Sequence, residues 1–170
     1  LPGHANHSRQ GNRERGRIAA AACYPGVTTM ILQWNDSLTT GHPRIDNDHR
    51  RMVEMVNRLG DAMVRSPGAA ACGAMLDELI RYAKCHFAME EALMRSIGGR
   101  YTDTTAHKAQ HAEMLKNVLN LQVRLSAGTV TGLAPAPQFL QGWLLHHIKE
   151  SDKALAAAAN SALRPAASIH

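Results

Sequence analysis

The chain has 170 residues, room for one domain with a single core, and holds ten His beside only two Trp, three Tyr and two Phe. Nineteen Lys and Arg against fourteen Asp and Glu give +5, of which +3 falls in residues 1–29 (four Arg, one Glu) and only +2 in residues 30–170. That longer part has no basic stripe with interleaved aromatics, which excludes nucleic acid as a partner, and no apolar run near ~18 residues, which excludes a membrane span.

Residues 1–29 are rich in Gly, Arg, Asn and Ser, include Pro2 and Pro25, and show no helical or strand period. Such a composition cannot bury enough apolar area to offset the cost of ordering its backbone. Two readings stand: a disordered tail, or upstream sequence read in frame with Met30 as the true start. The apolar stretch from Ile18 to Cys23 is shorter than the ~7–15 residues of a secretory leader's core. Three cysteines, Cys23, Cys72 and Cys85, are an odd number without a CxxC pair, which argues against a disulfide framework and for a reducing, cytoplasmic setting.

After Met30 the apolar residues follow a helical period between clear breaks at Ser66-Pro67-Gly68, Gly98-Gly99 and the loop from Gly128 to Pro137. The first segment runs from about Asp46 to Arg65, with Met52, Val56, Leu59 and Met63 on one stripe. The second, roughly Ala70 to Ile97, places Met75, Leu79, Tyr82, Met89 and Leu93 inward. The third starts near the cap residues Asp103 and Thr104 and repeats His107, His111, Met114, Val118, Leu121 and Leu125 at steps of four and three. The fourth runs from about Pro137 to beyond Leu155, with Leu140, Trp143, Leu144, His147 and Ile148 inward. These are the elements of an all-α protein, an antiparallel up-down-up-down four-helix bundle over residues 30–160 with a short tail at 161–170.

Several histidines lie on these inward stripes. His107 and His111 are i and i+4, so their rings leave one helix face a turn apart, and His86 and Glu90 repeat that spacing. His49 heads the first stripe, and His147 follows Trp143 by one turn. One His on an apolar face is usually a hydrogen-bonded core residue. Five in one layer with a carboxylate would be severely destabilising unless compensated, and a metal centre supplies the compensation. Imidazole and carboxylate suit Fe, Mn or Zn, and the donors outnumber what one tetrahedral ion needs, so two metals fit better. His146 lies ~100° off the stripe and reads as solvent-facing. His42 reads as a loop residue, Cys85 as a partly buried thiol and Glu91 as a solvated charge.

Residues 32–155 resemble the hemerythrin family, in particular its single-domain bacterial members. The resemblance is carried by Trp34, by Ile45-Asp46-Asn47-Asp48-His49 and by His86-Phe87-Ala88-Met89-Glu90-Glu91-Ala92-Leu93-Met94. It continues through His107-Lys108-Ala109-Gln110-His111 and Trp143-Leu144-Leu145-His146-His147-Ile148-Lys149-Glu150-Ser151-Asp152. It implies a di-metal site in the bundle core, two non-haem irons with an oxo or hydroxo bridge. His107, His111 and His147 would hold the coordinatively full iron, His49 and His86 the one with an open position, and Glu90 and Asp152 would bridge both. Asp152 rests on the resemblance, because five residues past His147 is ~140° round an ideal helix and needs a distortion, or a side chain that reaches back, to meet the site. Leu155 stands where many relatives have Tyr, and Met89 where some have another His.

The function implied is reversible dioxygen binding, for carriage, storage, delivery or sensing, with a redox or oxygen-consuming protein as a possible partner. The alternatives on the same scaffold are a di-iron enzyme (peroxidase, oxidase or nitric-oxide handling) and an iron-storage or repair protein. Neighbourhood to the histidines predicts an oxygen pocket lined by Met52, Phe87, Trp143 and Ile148.

Overall fold

The computed structural model describes residues 32–65, 69–127 and 135–163. The expectations for residues 1–29, for the Ser66–Gly68 break and for most of the loop before Pro137 lie outside the described residues. Long helices dominate: α1 (Pro43–Arg65), α2 (Ala69–Ile97), α3 (Thr104–Ser126), α4 (Pro135–His147) and α5 (Lys153–Leu163). Among the described residues there is no strand. Helix α1 packs on α2 and α4, α2 on α3, and α5 returns against α2, which closes an antiparallel four-helix bundle.

The fourth helix is not continuous. Between α4 and α5 lies a five-residue π turn, Ile148–Asp152, closed by the Lys153 N–H donating to the Ile148 carbonyl five residues back. The Ala154–Ala159 stretch is helical, and α5 carries on to Leu163.

The first and third stripes are buried much as their spacing predicts. Met52, Val56, Leu59 and Met63 are in the core, as are His107, His111, Met114, Val118 and Leu125, while Leu121 is half-buried. The stripe on α2 is displaced. Its buried positions are Cys72, Leu76, Leu79, Ile80, Ala83, His86, Phe87, Glu90, Met94 and Ile97, whereas Met75, Tyr82, Met89 and Leu93 are only half-buried. Large and small side chains together fill the seam, Leu76, Phe87 and Met94 beside Cys72 and Ala83, and the four half-buried residues flank it.

A short approach segment fixes the start of α1. Thr40 donates its N–H and hydroxyl to Asp46 Oδ1 at 2.7 and 2.8 Å, and the Gly41 N–H donates to Oδ2 at 3.2 Å. Gly41 takes φ +83° at this turn, where a side chain would be strained. Farther back, the Asn57 amide clamps Leu32, accepting from its N–H at 2.9 Å and donating to its carbonyl at 2.8 Å. The segment thereby lies along the bundle, with the Trp34 ring 6.4 Å from His49.

Candidate metal centre

Every helix of the bundle sends at least one polar side chain to the same buried layer. His49 comes from α1, His86 and Glu90 from consecutive turns of α2, His107 and His111 from α3, His147 from the end of α4, and Asp152 from the π turn. None of the seven is more than 2% exposed. All five rings point Nε2 inward. His49 Nε2 is 3.0 Å from Asp152 Oδ2, and His86 Nε2 is 3.4 Å from Glu90 Oε1. His107 Nε2 is 3.1 Å from Asp152 Oδ1, and His111 Nε2 is 3.2 Å from Glu90 Oε2. His147 Nε2 lies 3.1 and 3.0 Å from the Nε2 atoms of His107 and His111. The donors fall into two overlapping groups that could each hold a metal ion. Glu90, His107, His111, His147 and Asp152 form one; His49, His86, Glu90 and Asp152 form the other.

The outward nitrogens of His86, His107 and His147 are aimed by Asp48, Tyr101 and Gln110, to which the sequence reading gave no such role. Asp48 Oδ2 lies 3.4 Å from His86 Nδ1, while Tyr82 donates to the other Asp48 oxygen at 2.9 Å. Tyr101 Oη is 2.9 Å from His107 Nδ1, and Gln110 Oε1 is 2.8 Å from His147 Nδ1. Glu91 is half-buried, paired with Lys108 at 3.3 Å and 3.9 Å from His111 Nδ1. Acceptors at Nδ1 put the ring proton there and leave the Nε2 lone pair free, which is how imidazoles are prepared for a cation. The only sequence signal for this shell was adjacency: Asp48 precedes His49 and Gln110 precedes His111.

Protein partners alone do not satisfy this layer. Both oxygens of Glu90 and of Asp152, and both nitrogens of His49, are buried without an aligned hydrogen bond despite their close neighbours. Orphaned buried polar atoms of this kind are costly. Three Nε2 atoms facing one another at about 3 Å also repel unless a proton or cation lies between them. Nitrogens about 3 Å apart match neighbouring ligands about 2.1 Å from one ion. The donor set therefore fits a non-haem metal centre.

Without a cation, protons take its place. Burial pushes the His107 ring down, but the Asp152 and Glu90 carboxylates outweigh it and raise the group to about 9. For His147 burial wins, and the ring falls to about 3 and stays neutral. A folded-state value above the ordinary 6.5 stabilises the fold fully below pH 6.5 and loses that stabilisation as pH rises through about 9. Metal-free protein should accordingly melt at a lower temperature at pH 9.5 than at pH 6.5. Calorimetry checks this, and His107→Leu should flatten the dependence.

Residues 40–159 match the family model described as "Hemerythrin HHE cation binding domain", and that span is most of the chain. The chain belongs to the hemerythrin family. A bacteriohemerythrin of Pseudomonas aeruginosa is 40% identical over 121 residues, covering 71% of this chain and 76% of that protein. One from Stenotrophomonas maltophilia is 38% identical over 126 residues, covering 74% and 80%. The crystal structure of a wild-type hemerythrin superposes with a TM-score of 0.66 at 31% identity, covering 72% of this chain and 93% of that one.

Within this hemerythrin domain the aromatic rings wall the layer on one side. Phe87 stacks on His111 with centroids 3.9 Å apart and planes at 9°, and Trp143 stacks on His147 at 4.4 Å and 16°. Beyond them an apolar cavity of about 20 Å³ is lined by Met52, Phe87 and Trp143 among others. Ile148 is buried in the core but does not line it. His146 is exposed, and His42 accepts from the Ile45 N–H at 3.4 Å near the start of α1. Cys85 is exposed and not partly buried, because α2 turns that position away from the seam. Leu155 is fully buried with Ile45, Met94 and Ile97, and Tyr101 joins that cluster from the α2–α3 connection. Among the described residues no helix is long and apolar enough to cross a membrane.

Proposed function

We propose that this protein binds dioxygen reversibly at a pair of iron ions. The observation that carries the reading is the uneven division of the buried donors: three imidazoles in one group, two in the other, with Glu90 and Asp152 common to both. In this reading His107, His111 and His147 would hold one iron and His49 and His86 the second, with Glu90 and Asp152 available to both. Two ferrous ions so held would supply two electrons and a vacant coordination position, which is what a small diatomic ligand requires.

The protein's own contribution is binding, orientation and exclusion of water. Asp48, Tyr101 and Gln110 keep the Nδ1 protons outward on His86, His107 and His147 and so leave their Nε2 lone pairs available. Met52, Phe87 and Trp143 give the layer an apolar neighbour, where a dry cavity favours an uncharged guest over water or protons. Five neutral imidazoles against two carboxylates make a less electron-rich set than a carboxylate-dominated one, which favours ligand binding over further oxidation. This supports a carrier, store or sensor ahead of an enzyme.

Anaerobic reduction of the iron-loaded protein, then dioxygen, then argon, tests the reading by absorption spectroscopy. A ligand-to-metal charge-transfer band that appears with dioxygen and disappears under argon is expected. Immediate irreversible oxidation, with turnover of peroxide or an added reductant, would replace it with the enzyme reading.

A further inference from the structure

The π turn that presents Asp152 is tied to α3 by a side-chain network that also reaches two of the buried rings. Gln110 Oε1 stands at its centre, 2.8 Å from His147 Nδ1 and 2.7 Å from Ser151 Oγ. Ser151 belongs to the π turn, and its carbonyl accepts from the Tyr101 hydroxyl at 3.4 Å, while Tyr101 Oη lies 2.9 Å from His107 Nδ1. One assignment of protons satisfies every contact in the chain. An amide oxygen has no proton to give, so both His147 Nδ1–H and Ser151 Oγ–H donate to it. The Tyr101 proton goes to the Ser151 carbonyl, so its oxygen accepts from His107 Nδ1–H. The proton that each neutral ring keeps is thereby placed on Nδ1, and Nε2 is left to face the cluster. The same four contacts fix the segment whose next residue is Asp152.

We propose that Gln110 is a positioning residue that couples the tautomer and aim of His147 to the placement of the π turn, and through Ser151 and Tyr101 to His107. His111 provides the contrast within the same helix: its Nδ1 has no hydrogen-bond partner, and Glu91 is 3.9 Å away. Gln110 therefore sets the ring orientation of a neighbouring helix and leaves that of its own chain neighbour alone. The inference rests on the layer being a metal site, and does not depend on dioxygen being the ligand.

The test compares Gln110→Met, which keeps the length of the side chain without an acceptor, and Gln110→Glu, which restores one. Cobalt(II) alone is titrated into the full-length metal-free protein against a chromophoric chelator, and imidazole tautomers are read by 15N NMR. Gln110→Met should weaken cobalt binding by about 10- to 100-fold, the range expected on removing a residue that orients a ligand. His147 should then sample both tautomers, and Gln110→Glu should recover most of the affinity and the single tautomer. Wild-type affinity together with an unchanged His147 tautomer in Gln110→Met would overturn the proposal. If that variant does not fold, Ser151→Ala decides. It should weaken cobalt binding several-fold while leaving the helical circular dichroism unchanged, and undiminished binding would count against the coupling. Failure of the wild-type chain to bind cobalt would instead refute the metal-site reading itself.

Discussion

Replacing Glu90 by alanine should reduce the metal content from two ions per chain to one at most. Glu90 is fully buried, with one oxygen facing His86 at 3.4 Å and the other facing His111 at 3.2 Å and His107 at 3.6 Å. Its two oxygens thus address both donor groups, and alanine takes an anionic donor from each. The loss is electrostatic as well as geometric. Two divalent ions sharing a buried layer repel each other, and the charges of Glu90 and Asp152 are the negative charges within it. With one removed, holding the second ion becomes the larger loss. Elemental analysis after iron loading under argon, read beside the absorption spectrum, measures the effect. Two ions retained with an unaltered spectrum would refute the bridging role. Glu91→Ala is the matched control: Glu91 is half-buried, paired with Lys108 and out of reach of the converging Nε2 atoms, so both ions should remain.

How legible each part was depended on how local its physics is. His107 and His111, or His86 and Glu90, need nothing beyond the rise of one helical turn to share a face, so their spacing was enough to place them together. Of the α2 stripe Met75, Leu79, Tyr82, Met89 and Leu93, Leu79 is buried and the other four are half-buried. The buried face runs instead through Leu76, Ala83, Phe87, Glu90 and Met94, because it is set by which side of α2 meets α1 and α3. The partners of the outward nitrogens were not legible at all. Asp48 adjoins His49 in the chain but serves His86 across the interface, and Tyr101 enters from a connection between helices. Such pairings depend on how whole helices are set against one another, which no periodicity within a single helix reports. The expected distortion before Asp152 followed from arithmetic on an ideal helix, yet its form, a wide turn of five residues, depended on what lies after it.

What lies after it leads to the second large effect: one alanine inserted after Lys149 should destroy the site, whereas deletion of Glu150 should spare it. In an unbroken α-helix Asp152 would be ~140° from His147, and Leu155, eight residues on, ~80° away. The π turn advances by roughly 80° per residue, which brings Asp152 to roughly 40° from His147 and absorbs one surplus residue. Leu155 is then ~20° from that face, in keeping with the burial of Leu155, Ala156 and Ala159 against α2 and its neighbours. The turn therefore serves Asp152 and the apolar face of α5 together. Lys149 and Glu150, both exposed, form its outer side. Taking out Glu150 leaves Asp152 four residues after His147, ~40° away on an ordinary α-helix, with α5 still in phase. That variant should keep both ions, with affinity weakened about as far as in Ser151→Ala because the serine is displaced. The insertion turns Asp152 and all of α5 by about 100°, removes a carboxylate from both donor groups and withdraws Leu155 from the core, at about 1.5–3 kcal/mol for that side chain alone. Metal content and thermal melting of the two variants decide the matter. An insertion that keeps both ions, or a deletion that loses them, would show that the π turn does not set the aim of Asp152.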